Sequence, residues 1–224
     1  MTTPRFNHLS IDLETLGNRF DAPVLSIGAV AFCIETGKLA DTFYQEVNID
    51  SAIRSGHVSG DTLQWWMAQS EAARAIFKKE PDPQNPRKMH LSSALQNFAT
   101  WYRSRKDMLQ YPWGNGSTFD ITILDHAFAK GSVGLEPPWS QSYWNVRDMR
   151  TLVDAAEQIA GFKKDTIKRD GVHHNALDDA AHQAKVICAA WQALRGGKTA
   201  TVKPAKTATI KPVETATSGP DDDL

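Results

Sequence analysis

Apolar residues at the start of the chain follow the pattern of β-strands. Residues 8–13 form an apolar segment interrupted by polar positions, and residues 24–32 form an almost continuous apolar run, typical of a strand buried on both faces. A Glu-Thr-Gly-Lys turn at 35–38 leads into a third segment with partial alternation, residues 39–49. The pattern predicts three antiparallel strands.

The rest of the chain follows mainly the helical period. Residues 61–79 predict a helix with a break near Ser70, a residue that can cap the second half. Apolar residues recur at helical spacing over 91–105, which predicts an amphipathic helix. The other predicted elements are a proline-rich loop over 81–87, strands over 111–114 and 143–146, and helices over 117–130, 148–160 and 174–194. Together the elements predict an α/β fold with a mixed central sheet flanked by helices.

The end of the chain differs in composition from the rest. From Lys198 onward an eight-residue unit rich in Thr, Lys and Pro recurs in roughly three copies, and three aspartates follow. Such a sequence is typical of an extended, solvated segment. We predict one folded domain over 1–195 and a flexible tail over 196–224. The alternative interpretation is that the tail is a docking peptide for a partner.

Composition excludes several classes of protein. The chain has 224 residues, a formal net charge of -1 and 41% hydrophobic residues, and no apolar run approaches the roughly 18 residues of a membrane span. The amino terminus lacks the apolar block of a secretory signal. Cys33 and Cys188 lie in apolar segments, so we interpret them as buried thiols of a cytoplasmic protein. Nucleic acid remains an allowed partner if a cleft has a local basic lining.

Two acids stand two positions apart at the end of the first predicted strand. Asp12 and Glu14 therefore project from one face, while Ile11 and Leu13 project from the other. Burying two carboxylates is costly unless a cation pairs with them, and hard divalent ions prefer oxygen ligands. The pair therefore indicates a metal site; the alternative is a strand end whose acids face water.

A third acid follows a glycine-rich strand end. Asp120 comes shortly after Gly-Asn-Gly at 114–116, where little side-chain bulk lets a polymer backbone approach. The predicted helix places Asp120 in its first or second turn. Acids are favoured near any helix N-terminus, so this position alone indicates a site only weakly.

Two histidines and two aspartates stand at the start of the last predicted helix. A His and an acid five residues apart can face one site, where a divalent ion makes bound water more acidic and a neutral imidazole accepts the proton. The residues leave two pairings open: His173 with Asp178, or His174 with Asp179.

In chain order, these three segments resemble the exonuclease motifs of the DEDDh (DnaQ-like) superfamily. The matching stretches are Asp12-Leu-Glu14-Thr15, Asn115-Gly-Ser-Thr-Phe119-Asp120 and His174-Asn-Ala-Leu-Asp-Asp179-Ala. The family has an Ala two residues after the His, which selects His174 and Asp179. The resemblance covers residues 7–195. Two passages, Trp-Gly-Asn-Gly and Trp-Trp-Met, look most like phage and prophage members, including exonuclease VIII proteins and exoribonuclease-like domains.

The resemblance implies a ribonuclease H-like fold and a metal-dependent 3′-5′ exonuclease that hydrolyses DNA or RNA to nucleoside 5′-monophosphates. It also implies two divalent metal ions, Mg²⁺ or Mn²⁺, and a His that accepts the proton of the attacking water, here His174. The implied metal ligands are Asp12, Glu14, Asp120 and Asp179. The implied partner is the 3′ end of a nucleic acid, single-stranded or frayed. Many relatives are dimers, which allows a homodimer.

By the same resemblance, Thr15 and Leu16 would line the terminal nucleotide, with Asn115 and Phe119 across from them. One departure is Gly114, which stands where the family often has a His, and it weakens any assignment of the substrate. DNA and RNA are not distinguished, because no residue can be assigned to a contact with the 2′-hydroxyl.

Basic and aromatic residues near the motifs are further candidates. Four basic residues ahead of His174 predict either a phosphate-binding loop or a solvated one: Lys163, Lys164, Lys168 and Arg169. Trp65 and Trp66 could stack on a base. Adjacent residues of a helix point in different directions, so we expect at least one of this pair in the core.

Two other functions stay compatible with the sequence. One is a nucleic-acid-binding or recruitment module with the same fold and no turnover. The other is a metal-dependent phosphatase acting on small nucleotides. All four acids and the His of the motifs are present, which favours the exonuclease over a module without activity.

Overall fold

Six strands form one mixed sheet in the computed structural model, which describes residues 4–78, 88–105, 108–131 and 134–196. The strands are β1 (His8–Thr15), β2 (Val24–Phe32), β3 (Leu39–Val47), β4 (Lys88–Met89), β5 (Tyr111–Gly114) and β6 (Arg147–Asp148). Their spatial order is β4-β3-β2-β1-β5-β6. The pairs β1–β2 and β2–β3 are antiparallel and the others are parallel. The predicted mixed sheet with three antiparallel first strands is confirmed.

The described residues also form seven α-helices. They are α1 (Ile49–Ile53), α2 (Gly60–Met67), α3 (Glu71–Arg74), α4 (Leu91–Arg103), α5 (Asp120–Gly131), α6 (Met149–Ala160) and α7 (Ala176–Gly196). Helices α4 and α5 belong to one core cluster, and α6 and α7 belong to another on the opposite face. The sheet therefore lies between two helical layers.

Alternation along β1 decides which side chains reach each layer. Leu9, Ile11 and Leu13 enter the core beneath α4 and α5. Ser10 faces the other way, and its hydroxyl donates to Oε1 of Gln183 on α7 at 3.4 Å. Asp12 and Glu14 share the parity of Ser10, so β1 directs its two acids toward α7.

One predicted strand is wrong. Tyr143 to Val146 was expected to form the fifth strand, but Ser140–Asn145 forms a 3₁₀ segment and the edge strand is Arg147–Asp148. Aromatic residues favour strands where they pack on a half-buried surface. Here Tyr143 is 70% exposed and Trp144 is 64% exposed, so that packing is missing.

The boundary after β3 also differs from the prediction. The strand ends at Val47 rather than at Ile49, because Asn48 caps α1: its Oδ1 accepts from the backbone N–H of Ser51 at 3.0 Å. The break at Ser70 is confirmed. Its hydroxyl accepts from the backbone N–H of Ala73 at 3.2 Å and caps α3.

Several other predictions concern the ends and the interior of the chain. Cys33 and Cys188 are buried free thiols, as predicted. The loop predicted over 81–87 and the tail from residue 197 onward lie outside the described residues, while Gly196 ends α7. Within the described ranges, every helix is too short or too polar to cross a bilayer.

Candidate active site

The end of β1 meets the start of α7, and the two acids of β1 lie at this junction. Nε2 of Gln183 donates to Oδ1 of Asp12 at 2.6 Å, and Glu14 is only 6% exposed. Gly28 pairs with Asp12 on the neighbouring strand β2. A Cβ at position 28 would clash with the backbone of Ala176, the first residue of α7. The glycine therefore lets α7 begin directly beside the acids.

Asp120 is the first residue of α5, and its side chain is almost fully buried. Oδ1 accepts from the backbone N–H of Leu13 at 3.3 Å, and Oδ2 accepts from that of Asn115 at 3.0 Å. Gly114 leaves room for this carboxylate, since a Cβ there would lie 3.2 Å from Oδ2 of Asp120. The third acid is thus held beside the segment of β1 that carries the other two.

The start of α7 distinguishes the two His–Asp pairings. His174 has a φ of 64°, in the left-handed region, and its backbone N–H donates to Oδ2 of Asp179 at 3.1 Å. Asp178 instead accepts from the backbone N–H of Val172 at 2.7 Å. Asp179 therefore lies with the acids of β1 and beside His174, while Asp178 holds the preceding loop.

Carboxylate oxygens from β1 and α7 converge on one point. One oxygen each of Asp12, Glu14 and Asp179 lies within 4.8 Å of the others, a spacing that one divalent ion with oxygen ligands at about 2.0–2.6 Å can span. His173, His174 and Asp179 form a second such group, also within 4.8 Å. Asp120 is outside both groups and adjoins the first through the backbone of Leu13.

Burial raises the pKa of Asp12, Glu14 and Asp120, and repulsion from neighbouring acids adds to the effect for Asp12 and Glu14. Burial is the largest cause for Glu14, whose pKa rises to about 8, with Asp179 and Asp120 adding to the effect. Burial also raises the pKa of Asp120 to about 7, although backbone hydrogen bonds oppose it. The pKa of Asp12 is raised well above its usual value, first by burial and then by Asp120 and Glu14. A hard divalent cation stabilises the ionised forms, so this all-oxygen donor set fits such an ion.

Cationic and aromatic groups surround His174 and Asp179. The guanidinium of Arg169 forms an ion pair with Oδ1 of Asp179. The ring of His174 lies edge-on to Trp65, with centroids 4.7 Å apart, and 3.9 Å from the ring of His173. Burial, and then the charge of His173, lower the pKa of His174. The imidazole is therefore neutral near pH 7 and able to accept a proton.

A cleft of about 800 Å³ opens over the acids and contains most of the predicted substrate contacts. Thr15, Asn115 and Phe119 line it. Leu16 does not: it is 3% exposed and packs with Leu25 and Trp66 in a small core cluster. The expectation that Leu16 lines the site is thus corrected, because its side chain supports the wall of the cleft from behind.

The two tryptophans differ in exposure, and one of them belongs to the core, as expected. Trp66 is 2% exposed, and its indole N–H donates to the carbonyl of Thr15 at 2.9 Å. Trp65 is 43% exposed and lines the cleft.

Of the four basic candidates ahead of His174, Lys164 and Arg169 line the cleft, and Lys163 and Lys168 do not.

The cleft also contains polar residues that the sequence patterns did not indicate. His182 and Gln183 follow Asp179 by three and four residues on α7, so helical spacing could have found them. Arg150 lies on α6, and its Nε donates to Oδ1 of Asn115 at 3.4 Å. No spacing along the chain connects α6 with the β5–α5 turn, so this contact depends on the tertiary fold.

Comparisons with known proteins give one family match. A family model described as a 3′-5′ exoribonuclease Rv2179c-like domain matches residues 7–191, nearly the whole of the predicted folded domain. A search of the curated proteins found no match.

Solved structures give matches at low sequence identity. The nuclease domain of 3′hExo, described as a DEDDh family member bound to rAMP, matches with a TM-score of 0.52 and 16% identity over 87% of this chain and 94% of that chain. S. pombe Pop2p, in a form with bound Mg²⁺ and Mn²⁺, matches with a TM-score of 0.49 and 11% identity over 82% of each chain. The match to 3′hExo shows a shared fold and confirms the predicted ribonuclease H-like architecture.

Proposed function

Because the chain belongs to the family of 3′-5′ exoribonuclease Rv2179c-like domains, we propose that it shortens RNA from the 3′ end with divalent ions held in the acidic cleft. The family match makes the chain a 3′-5′ exonuclease, and RNA as the substrate rests on the description of that family. One observation carries the proposal: acids from β1 and α7 converge within 4.8 Å beside His174, inside a cleft large enough for a nucleotide.

The proposed ligands of the ions come from three elements. Asp12, Glu14 and Asp179 would hold one ion, since their oxygens already converge. Asp120 would contribute to a second, supported by its position next to Leu13. Mg²⁺ or Mn²⁺ bound here would make a water molecule acidic and neutralise charge on the reacting phosphate.

The remaining groups of the cleft would bind the substrate and move the proton. His174 is neutral, lies beside Asp179 and would accept the proton of the attacking water. Phe119 and Trp65 offer aromatic surfaces to the terminal base. Arg150 and Lys164 line the same cleft and would bind phosphates of the strand.

The test is digestion of RNA and DNA oligonucleotides labelled at either end, with Mg²⁺ or Mn²⁺ and with a chelator as control. Stepwise shortening of RNA from the 3′ end, release of nucleoside 5′-monophosphates and loss of activity with the chelator are expected. First loss of a 5′ label, or faster digestion of DNA than of RNA, would contradict the proposal.

Matched variants separate the rival functions. Asp12→Asn should abolish digestion while RNA binding largely persists, and Asp50→Asn, an exposed acid of α1, should behave as the wild type. A phosphatase would leave the length of the oligonucleotide unchanged. RNA binding by the wild type with no shortening under any divalent ion would favour the binding module.

A further inference from the structure

Arg169 lies in a loop that is attached to α7 by two contacts directly after it. Asp170 forms an ion pair with Lys185 of α7 at 2.7 Å. The backbone N–H of Val172 donates to Oδ2 of Asp178, also on α7, at 2.7 Å. These contacts hold the backbone of the loop beside the start of α7, so the side chain of Arg169 reaches the acids there.

The guanidinium of Arg169 forms an ion pair with Oδ1 of Asp179. The other oxygen of this carboxylate, Oδ2, accepts from the backbone N–H of His174 at 3.1 Å. The side chain of Arg169 is 33% exposed, whereas that of Asp179 is 11% exposed. The cation therefore lies at the boundary between the buried acids and the open cleft, where it has space to move away.

The ion pair and the proposed metal ion need the same carboxylate. Asp179 converges with Asp12 and Glu14 within 4.8 Å, so an ion held by these three acids takes Asp179 as a ligand. Oδ1, the partner of Arg169, is the oxygen without the backbone bond from His174. Two cations at one oxygen repel each other strongly at such short range. Binding of the ion should therefore displace the guanidinium.

On the basis of the function proposed above, we propose that Arg169 and a divalent ion compete for Asp179, and that the displaced guanidinium binds a phosphate of the RNA. Arg169 lines the same cleft as the acids, so after displacement it remains beside the path of the strand. A planar guanidinium can bind a phosphate through two parallel hydrogen bonds. Arg169 thus couples the two ligands, because its phosphate-binding group becomes free once the ion is bound.

Titration with Mn²⁺ in the absence of RNA tests the competition. The signal of free Mn²⁺ in electron paramagnetic resonance gives the dissociation constant without any turnover. Arg169→Gln removes the competing charge, so it should bind Mn²⁺ about three- to tenfold more tightly than the wild type. Arg169→Lys keeps the charge and should bind Mn²⁺ more weakly than Arg169→Gln does. Lys168→Gln, which changes an exposed neighbour that does not line the cleft, should bind Mn²⁺ as the wild type does.

Calorimetric titration with 5′-AMP at saturating Mn²⁺ tests the contact with phosphate. This nucleotide carries a phosphate but no phosphodiester bond, so an exonuclease does not consume it. Arg169→Gln should bind 5′-AMP about three- to tenfold more weakly than the wild type. Adenosine, which lacks the phosphate, should bind both proteins equally. Without Mn²⁺ the difference for 5′-AMP should become smaller, since Arg169 then stays paired with Asp179.

Two results would overturn the proposal. One is an equal affinity of the wild type, Arg169→Gln and Lys168→Gln for Mn²⁺, and the other is an equal loss of affinity for adenosine and 5′-AMP in Arg169→Gln. Loss of Mn²⁺ binding in Asp12→Asn, together with no change in Arg169→Gln, would contradict the competition and leave the proposed metal site standing. A wild type that binds no Mn²⁺ would contradict both. Thermal unfolding followed by circular dichroism shows whether each variant is folded.

Discussion

The carboxylate of Asp120 accepts a hydrogen bond from the backbone N–H of Leu13, the residue between the two acids of β1, at 3.3 Å. Its other oxygen accepts from the backbone N–H of Asn115 at 3.0 Å. One side chain therefore joins the first two sequence motifs. Both oxygens are needed for this junction, because two N–H donors point at them.

Asp120→Asn should lower both stability and activity. The amide retains one acceptor and directs its NH₂ group at a backbone donor, so we expect a loss of about 1–3 kcal/mol in the free energy of unfolding. Loss of a carboxylate that we propose as a metal ligand should reduce activity about 100-fold or more. Urea denaturation and digestion of labelled RNA measure the two effects, with Asp50→Asn as control. Unchanged stability would show that the two hydrogen bonds are dispensable.

Adjacent acids at the start of α7 should differ sharply in function. Asp179 converges with the acids of β1, whereas Asp178 accepts from the backbone of Val172. We expect Asp179→Asn to lower kcat/KM about 100-fold or more and Asp178→Asn to change it less than about tenfold. Steady-state digestion of RNA measures both. A larger loss of kcat/KM in Asp178→Asn than in Asp179→Asn would mean that the pairing of His173 with Asp178 operates instead.

The two neighbouring histidines provide a similar comparison. His174→Ala should lower kcat about 10²- to 10⁴-fold, the range for loss of a general base, and leave the affinity for RNA nearly unchanged. His173→Ala, at an exposed position, should have a smaller effect. Single-turnover digestion and RNA-binding titrations separate the chemical step from binding. A His174→Ala variant that digests at the wild-type rate would exclude this residue as the base.

Sequence patterns predicted the parts of the molecule that depend on local periodicity. Alternation in β1 places Asp12 and Glu14 on one face, and the run of apolar residues in β2 predicts burial on both faces, as found for all nine of its residues. The order of the motifs along the chain, combined with the family resemblance, indicated the acids that meet at the end of the sheet. The alternation and the burial of β2 need no knowledge of long-range packing, whereas the meeting of the acids was expected only from the resemblance.

The features that the patterns missed depend on tertiary contacts. Leu16 follows a motif residue, but the chain turns it into the cluster around Trp66 rather than into the cleft. Tyr143 has the propensity of a strand residue and lies at the surface without a sheet neighbour to pack against. Arg150 reaches the site only because α6 packs beside the β5–α5 turn. Each outcome is set by a partner that is distant in sequence.

Gly28 should be essential because α7 begins against it. Gly28→Ala forces a methyl group into the backbone of Ala176, so we expect a loss of about 1–3 kcal/mol in the free energy of unfolding. Because the start of α7 would shift and move Asp179 away from Asp12, activity should fall by more than this loss of stability alone would cause. Gly60→Ala is the matched control, since nothing lies within 4 Å of a Cβ at that position in α2. Thermal unfolding and RNA digestion measure both variants. A Gly28→Ala protein as active as Gly60→Ala would show that α7 tolerates displacement.

His8 should make the folded state sensitive to acid. Burial, as the largest cause, lowers its pKa to about 4, below the value of about 6.5 expected in the unfolded chain. The unfolded state therefore binds the proton more readily between these two values. The contribution of neutral His8 to stability is complete above about pH 6.5 and is lost as the pH falls through about 4.

The variant His8→Gln tests this sensitivity. It cannot titrate and still offers an acceptor to the indole N–H of Trp113, which donates to Nδ1 of His8 in the wild type. Between pH 7 and pH 4.5 the wild type should lose about 2–3 kcal/mol more than the variant, measured by urea denaturation in a chelating buffer. The other titrating groups are common to both proteins, so the difference isolates His8. Parallel stability curves would show that His8 is protonated without cost in the folded state.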